Sequence, residues 1–242
     1  IDFSQLPREK AELAYLLAEE MKQRETRKLA REDFLTYVKT MWPSFIEGYH
    51  HRKMSQTFNR IAKGELKRVI INMGPRHSKS EMSSYMLPSW LLGLKPDSKI
   101  IQATHTGELA VRFGRKIRDL VDTQEYKKVF EDVSLRADSK AAGRWETSKG
   151  GEYFAAGVGG AITGRGADVL IIDDPHSEQD AMSETAMEMA YEWYTSGPRQ
   201  RLQPGGTIIL VMTRWSKNDL TGQLLKAQAL DPKAAQWEVI EF

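Results

Sequence analysis

At 242 residues the chain is long enough for one or two domains and a sizeable buried core. Its 40% hydrophobic and 28% charged residues exclude a disordered or fibrous chain, and its lack of cysteine excludes a disulfide framework and any thiolate metal site. The balance of 35 Lys and Arg against 33 Asp and Glu, +2, taken as an average argues against a constitutively basic nucleic-acid coat. No apolar run approaches the roughly 18 to 20 residues of a membrane span, so a soluble protein with no membrane partner is expected. The chain begins at Ile1 without Met and stops in the strand-like Glu238-Val-Ile-Glu-Phe242, which reads as a fragment of a longer protein.

From Pro7 to about Arg31, Ala11, Ala14, Leu17, Ala18 and Met21 recur at three- and four-residue steps, the pattern of one amphipathic helix. A second helix is expected over Glu32 to Met41, ended by Pro43, and a third between Phe45 and Gly64. Beyond this helical preface, strand-like runs alternate with helices. Arg68 to Met73 is a strand, Glu81 to Leu92 a helix, Lys99 to Thr104 a strand and Glu108 to Asp122 a helix. Two antiparallel strands, Gly143 to Lys149 and Glu152 to Ala156, lead to the Gly-rich stretch Gly157 to Gly166. The run Val169 to Ile172, a helix over Glu178 to Tyr194, the run Thr207 to Thr213 and a helix from Asn218 or Asp219 to Leu230 complete the series. In the Glu178 helix, Glu184, Glu188 and Glu192 share one face and Met182, Ala186, Met189, Ala190 and Trp193 the other. Short β-branched runs separated by helices predict an α/β doubly wound sheet buried on both faces.

Strand, loop and helix meet at Ile70-Ile-Asn-Met-Gly-Pro-Arg-His-Ser-Lys-Ser80. A phosphate site needs inward backbone N–H groups, a helix N-terminus, a Lys for phosphate oxygens and a hydroxyl for Mg²⁺; Lys79 and Ser80 supply the last two. Against the pattern G-x-x-x-x-G-K-[ST], Met73 stands at the first Gly, with Gly74 one residue later, and Ser78 replaces the second. The alternative is a polar turn with a capping Ser. Val169-Leu-Ile-Ile-Asp-Asp174 has the form of the second half of an ATP site, which a fold of this class can bring beside the first strand. Asp173 would hold hydrated Mg²⁺ and Asp174 would orient or activate the attacking water. His77, His105 and His176 lack metal-ligand spacing and read as polar loop residues.

Five segments in this order resemble the large terminase subunit of tailed bacteriophages, the ATP-driven DNA packaging motor. They are Gly74 to Glu81, Leu91 to Ile101, Thr163-Gly-Arg-Gly-Ala-Asp168, Ile171 to His176 and Thr213-Arg-Trp-Ser-Lys-Asn-Asp-Leu-Thr-Gly222. The resemblance implies a P-loop NTPase fold of the ASCE type, a mostly parallel sheet flanked by helices over residues 65–242, with residues 1–64 as a small helical lid. It implies that Gly74, Pro75, Arg76, His77, Ser78, Lys79, Ser80 and Glu81 form the ATP-binding loop, with Arg76 on the γ-phosphate and Lys79 on the β/γ oxygens. Asp174 stands where such motors commonly carry Glu, one methylene or about 1.5 Å shorter. Arg165 resembles the arginine that ring motors insert into a neighbour's site, with Arg199 and Arg201 as runners-up; the alternative is a surface arginine. Thr213, with Arg214 and Trp215, resembles the coupling motif that senses the γ-phosphate, the alternative being a turn cap. An adenine contact would come from His50, His51 or Gln56.

By the same resemblance, the partners are double-stranded DNA, portal and procapsid, the small terminase subunit and a homo-oligomeric ring of five, in the host cytoplasm. The isolated chain would be a monomer, without the family's C-terminal nuclease domain. Competing readings are a helicase-like nucleic-acid-stimulated ATPase and a nucleotide-binding scaffold with little turnover. The near-neutral total conceals a segregation: Arg52 to Lys79 holds eight Lys and Arg against one acid, whereas Asp168 to Glu192 holds eight acids and no Lys or Arg. Opposite fields are therefore expected to meet around Mg-ATP.

Overall fold

The structure is a computed structural model that describes residues 7–162 and 164–242, except for the side chain of Lys140. Thr163, which opens one of the motifs above, and the first six residues of the preface lie outside the described residues.

The chain begins with α1 (Arg8–Glu32), α2 (Phe34–Met41) and α3 (Tyr49–Ala62). The second helix starts later than its apolar pattern implies because Asp33, in extended backbone, caps it by accepting from Thr36 N at 2.8 Å. Of the stripe on α1, Leu17 and Met21 stay exposed, and the helix buries only Ala30 near its end. Strand β1 (Arg68–Asn72) runs into a loop and a helix whose first part, Glu81–Met86, is π-helical before α4 (Leu87–Leu94). Pro88 cannot donate a backbone hydrogen bond, and Leu87 N reaches back five residues to Met82 O.

Next come β2 (Lys99–Thr104), α5 (Gly107–Val121), α6 (Gln124–Val129), β3 (Leu135–Ala141), β4 (Arg144–Thr147) and β5 (Glu152–Gly157). The chain closes with β6 (Ala167–Asp173), α7 (Glu184–Ser196), β7 (Leu202–Met212), α8 (Leu220–Leu230) and β8 (Glu238–Glu241). Helix α7 starts six residues after the expected Glu178, because Ser183 caps it and a short 3₁₀ turn precedes it. It buries Met187, Ala190, Trp193 and Tyr194 and leaves Met189 exposed, and Met182, in the 3₁₀ turn before it, is exposed as well.

The eight strands form one sheet in the order β3-β4-β5-β2-β6-β7-β1-β8, parallel from β5 to β8 and antiparallel at β3 and β4. The mostly parallel sheet flanked by helices is the α/β architecture that the sequence implies. Strand alternation divides its core: Val69, Ile71, Ile100, Val169, Ile171, Ile209 and Val211 face α1 to α6, while Ile70, Ile101, Leu170, Ile172, Ile208 and Leu210 face α7 and α8. Each such buried side chain contributes roughly 1.5–3 kcal/mol. Acid strand β6 is not beside β1, as the sequence reading allowed, but one strand away: β7 pairs with both, so its end lies between the loop that follows β1 and the acids.

Candidate functional site

All the parallel strands deliver their carboxyl ends to one edge of the sheet, where the loop 73–80 leaves β1 and the acids leave β6. Among the described residues, the non-glycine residues at positive φ are Arg76 (64°), Ser78 (58°) and Asp174 (41°), all at this edge. Left-handed backbone costs an L-residue about 1–2 kcal/mol, so strain here is held by the surroundings. Pro75 and His77 lie between and beside the left-handed residues without positive φ, the alternation that turns successive N–H groups into an anion-binding concavity. Ser78, at the position where the pattern carries glycine, thus takes a left-handed backbone that favours glycine. The helix behind the loop starts at Lys79.

Lys79, 6% exposed, donates from Nζ to Thr213 Oγ1 at 3.1 Å and pairs with Asp174 Oδ2 at 2.8 Å. The other Asp174 oxygen accepts from Thr213 N at 2.9 Å, and Thr213 Oγ1 also reaches Met73 O at 3.3 Å. Lysine, second acid and end of β7 thus form one closed network. Asp173 shares its sheet face with Ile171 and so meets the helix after the loop: Oδ1 accepts from Ser80 Oγ at 3.1 Å and Oδ2 from Ser84 Oγ at 2.7 Å. Burial, and then the charge of Asp174, push the Asp173 carboxyl up to about 7. Of the two acids only Asp174 pairs with the lysine, and Asp173 with Ser80 offers hard oxygen donors. The residues therefore fit a divalent cation of the Mg²⁺ kind.

The remaining predicted residues divide. Gly74 and Pro75 shape the loop, and His77 Nδ1 lies 2.8 Å from Pro75 O. Arg76 is exposed, with no side-chain partner among the described residues. Glu81 turns away to Lys116 of α5 at 2.7 Å. The start of α3 comes against the loop, with the His50 ring 3.9 Å from that of His51 and 5.6 Å from that of His77. His51 accepts from Gly48 N at 2.9 Å, its Nε2 is buried without a partner, and burial pushes its imidazole down to about 4. Gln56 is exposed. Arg165 is not at this edge: its guanidinium pairs with Glu152 at the amino end of β5 and lies 4.4 Å from the centre of the Phe154 ring.

Sequence reasoning missed three supports. Ser84, one turn after Ser80, shares its face, a spacing that could have revealed it. Asp219, expected only as a possible helix start, is fully buried: Oδ2 accepts from Arg214 Nε (2.9 Å), Trp215 N (3.0 Å) and Ser216 N (3.2 Å), and Oδ1 from Gly222 N (2.9 Å). His176, read as a loop residue, is 3% exposed because its Nε2 accepts from Leu220 N at 3.0 Å and so ties the β6 turn to α8. Burial holds its imidazole below the usual range. His105 donates its backbone N–H to Asp174 O at 3.2 Å.

The fold and this edge define a parallel-sheet α/β protein with a loop shaped to receive an anion beside an acid pair. Its structural neighbours are bacteriophage large terminases. The large terminase of bacteriophage HK97 superposes with a TM-score of 0.51 at 14% identity, over 82% of this chain and 40% of that one, so the two share a fold and this chain spans less than half of that protein's length. A large terminase of a thermophilic bacteriophage, in complex with ADP, matches with a TM-score of 0.44 at 12% identity, over 77% of this chain and 44% of that one. No family model and no curated protein matches the chain by sequence.

Proposed function

We propose that the chain is the ATPase motor domain of a terminase large subunit, hydrolysing ATP to drive double-stranded DNA into a procapsid. The observation that carries this reading is Lys79, buried at the end of a doubly left-handed loop and held between Asp174 and Thr213, with Ser80 and Asp173 alongside. Loop N–H groups, Lys79 and the free Arg76 would bind the triphosphate oxygens. Ser80 and Asp173 would hold Mg²⁺, which when bound neutralises phosphate charge. Lys79 cannot serve phosphate and Asp174 equally, so substrate binding would draw it off the acid. Asp174 would then be free to orient water and accept its proton, while Thr213, losing the same lysine, would pass the change to the Asp219 turn. His50 and His51 are placed for the base.

On this reading residues 1–64 are a lid on the core 65–242, and the assembled form is a ring of five at the portal, served by the small subunit, in the host cytoplasm. Arg165 would act on a neighbour's nucleotide, for which it would have to leave its pairing with Glu152. ATP hydrolysis by the chain and its variants tests the proposal. Lys79→Ala and Asp174→Asn are expected to lower turnover at least about 100-fold. Arg165→Ala should leave basal turnover intact and abolish only its stimulation by procapsid and portal. Equal rates in wild type, Lys79→Ala and Asp174→Asn would sink the enzyme reading and leave the nucleotide-binding scaffold.

A further inference from the structure

The amino ends of the same strands form a second edge, to which neither the loop nor the acids contribute. The segments entering the parallel strands β1, β2, β5, β6 and β7 are 63–68, 95–99, 148–152, 164–168 and 198–201, and together they hold nine Lys or Arg against four acids, +5. The segments leaving those strands, 73–78, 105–108, 158–162, 174–180 and 213–219, hold three against five, −2.

Few of the amino-edge cations are neutralised. Lys63, Lys67, Lys95 and Lys149 have no side-chain hydrogen bond or ion pair to any described residue. Arg68 spends its hydrogen bonds on the carbonyls of Lys67 (2.8 Å) and Gly206 (2.7 Å), and burial first, with a lesser contribution from the nearby charge of Arg199, disfavours its charged form. Among the described residues, Glu152 is the only one of the four acids paired with arginine, and it is claimed by Arg144 as well as Arg165. Like charges gathered without counterions repel, and an anionic partner removes that cost.

The partner's shape follows from the sheet. From β5 to β1 the order β5-β2-β6-β7-β1 contains four strand spacings, about 19 Å at roughly 4.8 Å each. A duplex carries one charge per about 1.7 Å of axis with both strands counted, so a length equal to this edge carries about eleven phosphates, of which those on the near side face the protein. A row of that extent suits a polyanion rather than a single phosphate. Near the β1 end a cleft of about 300 Å³ opens, whose charged lining is Lys63, Lys67 and Lys95 against one acid, Asp168, with Gly205 and Gly206 at its wall. Gly205, at φ 78°, belongs to the irregular start of β7, where backbone can approach closely.

We propose that this amino edge is a docking surface for the phosphate backbone of duplex DNA, bound without sequence preference. The inference deepens the proposed function, on which the biological role of the DNA rests, by assigning the contact to the edge opposite the nucleotide site.

The test is binding of a short labelled duplex to the chain, by fluorescence anisotropy at low and raised salt. Lys63→Gln/Lys67→Gln/Lys95→Gln is compared with Lys217→Gln/Lys226→Gln/Lys233→Gln, which removes the same charge elsewhere. The first should bind at least about tenfold more weakly, with a salt slope reduced by about 0.9 for each phosphate that is no longer neutralised. The second should stay within about twofold of wild type, and thermal melting should show both folded. Equal affinities for the two variants, whether unchanged or weakened alike, or no binding by wild type would overturn the proposal. Altered sedimentation of the first variant with unchanged DNA affinity would overturn it in favour of a protein interface. ATP hydrolysis measured in parallel keeps the readings apart: edge-dependent DNA binding without Lys79-dependent hydrolysis sustains this inference and removes the function proposed above.

Discussion

The two edges of the sheet are built on opposite principles. At the carboxyl edge the polar groups are buried, mutually bonded and partly strained: Lys79 is 6% and Asp173 2% exposed, and three left-handed residues cluster there. At the amino edge the cations are surface groups with few partners. Buried networks act through geometry, so removing one partner costs much. Exposed cations act through summed charge, so single substitutions cost little and salt weakens them all. Substitutions at the first edge should therefore alter stability and turnover but not DNA affinity, and those at the second the reverse.

The largest expected effect on stability is at Asp219. Asp219→Ala removes the cap of α8 and leaves the N–H groups of Trp215, Ser216 and Gly222 without their acceptor inside the fold. A loss of about 2–4 kcal/mol is expected by urea denaturation. Because Thr213 anchors both Asp174 and Lys79 at the head of the same turn, turnover should fall as well. Asp219→Asn keeps one acceptor and should cost less. An Asp219→Ala chain of wild-type stability would break the contrast between the edges.

How much of this was legible depended on where the signal resides. Strands β1, β2, β6 and β7 stood out because burial on both faces makes continuous apolar runs, as in Val69 to Ile71 and Val169 to Ile172. Strand β3, Leu-Arg-Ala-Asp-Ser-Lys-Ala, pairs only with β4 at the sheet's margin and carries no such run; it was missed, as was the six-residue α6. The loop and acids were legible as motifs, whereas the π-helical form of Glu81–Met86 depends on backbone bonding that composition does not record. The place of Arg165 was equally hidden, since its pairing with Glu152 is tertiary. The basic edge was invisible in a total of +2 because strand direction, not sequence position, sorts those charges.

A smaller effect concerns pH. The His51 imidazole, at about 4, lies below its ordinary value near 6.5, so the unfolded chain binds the extra proton between those values. Stability should therefore fall as the pH drops from about 6.5 toward 4, by up to about 3 kcal/mol from this residue. His51→Gln should flatten that part of the profile of urea midpoint against pH. The amino-edge segments hold no histidine, so DNA binding there should stay equal across the window. An unchanged slope in His51→Gln would move the pH dependence to other groups.

The smallest effect is the most specific to the loop. Ser78 adopts φ 58° and its hydroxyl has no partner among the described residues, so the side chain brings strain without a compensating bond. Ser78→Gly should stabilise the fold, since glycine adopts this backbone without a Cβ clash; the gain is about 0.5–1 kcal/mol after the greater freedom of glycine in the unfolded chain is set against it. Ser78→Ala keeps the clash and should leave stability near wild type. If the loop holds its left-handed geometry to present N–H groups to phosphate, nucleotide affinity should survive Ser78→Gly, because the conformation is retained. A Ser78→Gly chain that is more stable but binds nucleotide less well would show instead that the strain itself, by fixing the loop, contributes to binding.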